Sequence, residues 1–168
     1  MAGSPALSGF EKVKGDELDR EFLLKELLEP VRERCDYILL DCPPALGLVT
    51  LNAYACAQAL YVPLEAQMYA ADGLEKVLEL VGRVRRRLNP DLSVGGIFFT
   101  RHDGRKVLRR ETAEELRALY PGLVLTSFIR ESIALGEAPH LGQDIFTYAP
   151  QSAGATDYQA LVAEILTR

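Results

Sequence analysis

Tyr37-Ile38-Leu39-Leu40-Asp41-Cys42-Pro43-Pro44 is the stretch on which the reading of this 168-residue chain turns. Four uncharged residues, Tyr37 to Leu40, run straight into a carboxylate, and two prolines follow. A continuous apolar run bounded by breakers predicts a buried parallel strand from Asp36 to Asp41. Neither Pro43 nor Pro44 can donate to a ladder, so the strand is expected to stop there and leave as a stiff loop, with Gly47 as its pliable point. Asp41 then stands at the strand's carboxyl end, where open α/β sheets bind their ligands. Two readings of Asp41 stay open from the residues alone. One is a carboxylate that holds Mg²⁺ beside a nucleotide phosphate; the other is a helix cap or a surface aspartate.

Upstream, residues 1–15 read as a loop or a frayed segment. Asp16 is placed to cap a helix carrying Leu18, Phe22, Leu23 and Leu27, and Pro30 to start a further turn ending near Arg34. Downstream, a helix is expected from about Leu48 to Ala57, then a strand, Leu60 to Leu64, with Pro63 at its end. Ala71 to Leu88 carries one apolar stripe (Leu74, Val77, Leu78, Val81, Val84, Leu88) and is stopped by Asn89-Pro90. Val94 to Thr100 reads as a strand whose Gly95-Gly96 pair implies close packing against a neighbour. Lys106 to Tyr120 reads as a helix, Leu123 to Ile129 as a strand, Glu131 to Glu137 as one or two helical turns, and Ile145 to Tyr148 as short and extended. Ser152 caps a last helix bearing Tyr158, Leu161, Val162, Ile165 and Leu166. Strands alternating with helices predict a single α/β domain, a mainly parallel sheet flanked by helices.

Nearly half of the residues (48%) are apolar, as in ordinary globular proteins. No apolar run is long enough to span a bilayer, and a membrane partner is not expected. Cys35, Cys42 and Cys56 form no C-x-x-C, and His102 and His140 are distant from them in sequence, so reduced thiols in a cytoplasmic protein are expected rather than a zinc site. The net charge of −5 is uneven. Nine Lys/Arg against two acids between Arg83 and Arg110 make that segment +7, which leaves −12 for the remainder. Such a block binds a polyanion or is a solvated helix face; the residues leave both open.

No G-x-x-x-x-G-K-[ST] motif occurs in the chain, and no G-x-S-x-G. With two histidines in all, acid–base catalysis by histidine has little to rest on, and both read as surface loop residues. Asp103 and Arg105 read equally well as turn residues.

The run Tyr37-Ile-Leu-Leu-Asp41-Cys-Pro-Pro-Ala-Leu-Gly47-Leu-Val-Thr-Leu-Asn52-Ala resembles the Walker B and switch II region of the ParA/MinD-type partition ATPases, close to the Soj branch. Further segments match in order. Val62-Pro-Leu-Glu65-Ala-Gln67, with Tyr69-Ala and Gly73-Leu, resembles the strand and helix after switch II, and Arg87-Leu-Asn-Pro90 the end of the long helix. Thr100-Arg-His-Asp103-Gly-Arg105 resembles the family's T-x-x-D-x-R loop. Ile129-Arg-Glu-Ser132, with Leu135-Gly-Glu137-Ala-Pro139, resembles its nucleotide-base loop, and Pro150-Gln-Ser152-Ala-Gly154-Ala with Tyr158 the start of its last helix. The resemblance covers the chain from about Leu18 onward.

The resemblance implies a P-loop NTPase-like fold of the deviant Walker type, here expected to be N-terminally truncated, since the family's phosphate loop precedes the matched region. Ser4-Pro-Ala-Leu-Ser-Gly-Phe10 resembles the segment after the family's third strand. ATP and Mg²⁺ are the implied cofactors: Asp41 holding Mg²⁺ through water, Pro43, Pro44 and Gly47 forming the switch, and Thr100, Arg130, Glu131 and Ser132 lining the nucleotide site. The family reads Pro-Arg-Asn where this chain has Arg130-Glu131-Ser132. Non-specific DNA is an implied partner, through Arg83, Arg86, Arg87, Arg105, Lys106, Arg109 and Arg110, together with a ParB-like protein or a full-length ParA and a nucleoid-associated location. A bare apolar flank on the Asp41 strand predicts a homodimer or a hetero-assembly. A MinD-like membrane role is disfavoured, because Leu161 to Arg168 carries no basic amphipathic tail. The function expected is chromosome or plasmid partitioning by a Mg-ATP-dependent dimer switch. The alternative is a non-enzymatic module that dimerises with or regulates a full-length partition ATPase.

Overall fold

In the computed structural model, residues 18–43, 47–67, 70–103 and 105–168 are described. Their elements, in chain order, are α1 (Leu23–Arg32), α2 (Leu48–Cys56), β1 (Ala59–Glu65), α3 (Ala70–Arg87), β2 (Ser93–His102), α4 (Val107–Leu119), β3 (Val124–Arg130), α5 (Ile133–Glu137), a 3₁₀ turn (Ala138–Leu141), α6 (Ile145–Tyr148) and α7 (Ala153–Leu166). They form two compact units. The first takes the described residues up to Ala59 together with Leu78–Ser93; the second takes Leu60–Val77 and Val94–Arg168.

The second unit holds a three-stranded sheet in the order β1-β2-β3. Each strand is followed by a helix, which returns the chain to start the next strand in the same direction, and β2 and β3 pair in parallel. Pro63 is tolerated in β1 because β1 is an outer strand of this sheet. Gly95 and Gly96 let the neighbours close in as expected: a Cβ on Gly95 would lie 2.5 Å from the Tyr61 ring, and one on Gly96 2.7 Å from Leu125. Leu125 and Ile129 of β3 form a core with Leu161 of α7, backed by Tyr61, Phe98, Leu135, Tyr158 and Ile165.

The β2–β3 register shifts twice. Ile97 pairs with Val124 but Phe99 with Phe128, so β3 carries two extra residues there. The N–H groups of Thr126 and Ser127 are taken instead by the Glu164 carboxylate of α7, at 2.8 and 2.7 Å. His102 then pairs with Arg130, so β2 carries one extra residue. Arg101, with φ of 49°, lies in that irregular step, and such bulges re-aim the side chains that follow.

In the first unit, the buried Asn52 of α2 accepts from the Leu24 N–H at 2.9 Å and donates to the carbonyls of Arg20 (2.8 Å) and Leu48 (3.0 Å), which ties α1 to α2. Asn89 closes the end of α2 by donating to the carbonyls of Tyr54 and Ala57.

Four expectations are corrected. Residues 36–41 form no strand: Tyr37 is 73% and Leu39 93% exposed, and no backbone hydrogen bond joins residues 37–39 to any other described residue. Apolar residues make a strand only against a ladder partner, and none stands beside them among the described residues. Ile145–Tyr148 is helical, because Asp144 caps it by accepting from the N–H groups of Phe146 and Thr147. Pro30 lies inside α1 instead of opening a turn, and α1 begins at Leu23. His102 is a strand-end residue packed on rings, treated below. Asp16 and residues 1–15 lie outside the described residues, as does Pro44.

Candidate functional site

The strand ends decide where a ligand fits in the second unit. At the carboxyl ends of β2 and β3, a cleft of about 500 Å³ is lined by His102, Asp103, Arg105, Phe128, Arg130 and Glu131. In parallel sheets this end of the strands is where ligands bind.

The floor is aromatic. The His102 ring lies 4.7 Å from that of Phe128 and 6.2 Å from that of Phe99, tilted against both. Its Nδ1 is buried without a hydrogen-bond partner among the described residues. Burial first, then the positive charges of Arg117 and Arg109 on α4, hold its pKa below the usual histidine value, so the ring is neutral at pH 7. The surface-loop expectation for His102 is therefore replaced by a half-buried ring at the root of the cleft. His140 is exposed, as expected.

The rim is charged but internally paired. Asp103 accepts from Arg105 Nε at 3.0 Å and from the Arg105 backbone N–H at 3.2 Å, a closed two-residue turn. Arg101 bridges Glu65 (3.4 Å) and Glu131 (3.1 Å), which links the ends of β1 and β3 across β2. Arg109 donates to the Arg101 carbonyl. Arg130 is gripped by Asp157 of α7 through both its backbone N–H and its guanidinium. Across the lining, two guanidinium groups and two carboxylates balance and the imidazole is neutral. Such a site suits a planar, uncharged ring system better than a triphosphate.

Of the residues expected at a nucleotide site, Arg130 and Glu131 line the cleft. Thr100 lies two residues before His102 on β2, and Ser132 caps α5 without a side-chain bond. Asp41 is exposed in the irregular segment of the first unit, Pro43 is exposed beside it, and Gly47 caps α2. Arg83, Arg86 and Arg87 are exposed on α3 in the first unit. In the second unit Lys106 and Arg110 are exposed, whereas Arg105 and Arg109 are engaged at the cleft. Among the described residues no group of three His, Cys, Asp or Glu gathers as a metal site. A single carboxylate would hold Mg²⁺ only with water and phosphate supplying its other ligands.

Sequence reasoning missed Phe128 and Asp157. Phe128 alternates with the core residues of β3, and an acid near the start of the last helix, directly after a run of small residues, is the trace that Asp157 leaves in the sequence.

An AAA-domain family model matches residues 2–94. The chain is 41% identical over 162 residues to the chromosome-partitioning ATPase Soj of Treponema pallidum, covering 96% of this chain and 64% of that protein. It is 36% identical over 168 residues to the chromosome partitioning protein ParA of Myxococcus xanthus, covering 100% and 59%. Among solved structures, cobyrinic acid a,c-diamide synthase of Mycobacterium smegmatis with bound ADP and magnesium is similar at a TM-score of 0.79 and 27% identity, over 96% of this chain and 58% of that one. The chain thus spans about three fifths of the length of the curated relatives it matches. No helix among the described residues is long and apolar enough to cross a membrane.

Proposed function

This chain belongs to the ParA/MinD-type, Soj-like family of partition ATPases, and from that premise we propose that its cleft seats the base of an adenine nucleotide in a DNA-partitioning switch. The observation that carries this is the ring floor of His102 and Phe128 at the carboxyl ends of β2 and β3, inside a lining of balanced charge. Stacking on a neutral ring is worth most to a base and nothing to a phosphate. No Walker A motif occurs in residues 1–168, and the cleft's cations are committed to internal carboxylates. The chain by itself therefore recognises the nucleoside part of ATP. Mg²⁺ on Asp41 and hydrolysis belong to a complete phosphate site. Calorimetric titration tests this: adenosine and ATP·Mg²⁺ bind with similar affinity, and the absence of heat from both ligands sinks the reading.

The partition role further assigns Arg83, Arg86, Arg87, Lys106 and Arg110 to phosphate contacts with non-specific DNA, and a ParB-like protein as the regulator.

A second reading is favoured by one observation, the exposure of Tyr37, Ile38 and Leu39 without backbone partners among the described residues. An apolar extended segment of this kind takes up a strand from another chain. In this reading the protein is a module that assembles with a second copy or with a full-length partition ATPase. Light scattering is expected to show a dimer or a complex. A clean monomer whose amides at Ile38 to Leu40 exchange slowly is the contrary result.

A further inference from the structure

Asp157, on α7, is 8% exposed, and β3 takes up both of its carboxylate oxygens. Oδ2 accepts from the Arg130 backbone N–H at 2.9 Å and from Nε at 2.9 Å; Oδ1 accepts from Nη2 at 2.6 Å and from Nε at 3.1 Å. Ion pairs between two mobile surface side chains contribute little. This one differs in two respects. Its acid is buried, and the contact grips the arginine at its backbone root as well as along one edge of the guanidinium fork. The plane of the guanidinium is thereby fixed. The remaining nitrogen, Nη1, makes no bond among the described residues, and Arg130 lines the cleft beside Phe128 and His102.

We infer that Asp157 is a positioning residue for the cleft: it holds the Arg130 guanidinium as a fixed flat face that extends the Phe128–His102 floor, and the nucleotide base stacks on that face. The inference rests on the nucleotide reading above. A guanidinium is planar and weakly hydrated, so it stacks on aromatic faces, whereas a lysine ammonium is a point charge without a face. Fixing the plane before the ligand arrives removes part of the ordering cost from binding. The Asp157 carboxylate, inside the fold, touches no ligand and acts only through Arg130.

The test is calorimetric titration of adenosine and of ATP·Mg²⁺ into the full chain and into Asp157→Asn and Arg130→Lys. Arg130→Lys keeps the positive charge opposite Asp157, so it separates the loss of the plane from a loss of folding. Both variants are expected to bind both ligands about tenfold more weakly, by the same factor for each. Unchanged adenosine binding in both variants overturns the positioning role and leaves the nucleotide reading standing. Weakening confined to ATP overturns stacking, because Arg130 then meets phosphate. Absence of binding by the unaltered protein overturns the nucleotide reading and the inference together.

Discussion

His102 keeps a ring nitrogen, Nδ1, buried and without a hydrogen-bond partner among the described residues. The groups facing the ring are Phe99 and Phe128 on the strands, Arg109 and Arg117 on α4, and Asp103 beside it in the chain. Burial and the two arginines outweigh Asp103, so the folded pKa lies below the unfolded value of 6.5. A histidine shifted in this direction contributes stability in full above pH 6.5 and loses it as the pH falls through the folded value. Urea denaturation at pH 7.5 and 5.5 is expected to show this loss in the unaltered protein, and His102→Phe is expected to lessen it while keeping the ring packing. An equal pH dependence in both proteins excludes His102 as its source. The sequence hides this residue. A histidine three positions before a basic pair reads as loop, and only the extra residue in β2, with Arg101 at φ 49°, turns its ring onto Phe128. A bulge depends on the register of two strands, which no local pattern encodes. Arg130 and Glu131, by contrast, were singled out through a resemblance to the family's loop and line the cleft, although what pairs with them was not legible.

At the level of elements, α3, β2, β3 and α7 lie within a residue or two of where periodicity, prolines and caps put them. Residues 36–41 do not form the strand that their apolar character suggests, since ladder hydrogen bonds come from a neighbour. The close approach of β1 to β2 was legible as Gly95-Gly96. Gly95→Ala drives a methyl into the Tyr61 ring and is expected to cost about 1–3 kcal/mol, read as a lower melting temperature; an unchanged melting temperature contradicts the packing. On the outer strand β3, Glu164 occupies the N–H groups of Thr126 and Ser127 and the Thr126 hydroxyl. Burial raises its pKa, but these hydrogen bonds outweigh it and bring the value from 4.5 to about 2. A depressed carboxylate contributes stability in full above the unfolded pKa of 4.5 and loses it as the pH falls towards 2. Glu164→Ala leaves two backbone donors without partners and is expected to cost about 2 kcal/mol at pH 7, and less at pH 3. A cost independent of pH removes Glu164 from the account.

For the molecule as a whole, the net charge of −5 is unevenly spread along the chain. The +7 segment between Arg83 and Arg110 was visible in the sequence as one block, but the structure divides its side chains by task. Arg101, Arg105 and Arg109 are spent on Glu65, Glu131, Asp103 and the Arg101 carbonyl, whereas Arg86 and Arg110 are exposed. Mobility shifts on an arbitrary duplex are expected to weaken with salt and to weaken further in Arg86→Glu and Arg110→Glu; unchanged binding in both variants rules out a role for these two side chains. The family of the chain was legible because its segments match in order over most of its length, and the comparisons bear it out. The cleft's chemistry was not, because its floor depends on a register shift and its rim on pairings between distant residues. In the proposed reading these residues recognise the uncharged end of a nucleotide. Its most direct test is side-by-side calorimetric titration of adenosine and ATP·Mg²⁺ into the unaltered chain. Dissociation constants of about 0.1 mM are expected for each, within about threefold of one another; ATP bound about a hundredfold more tightly than adenosine, or heat from neither, would show that the cleft does not read the base.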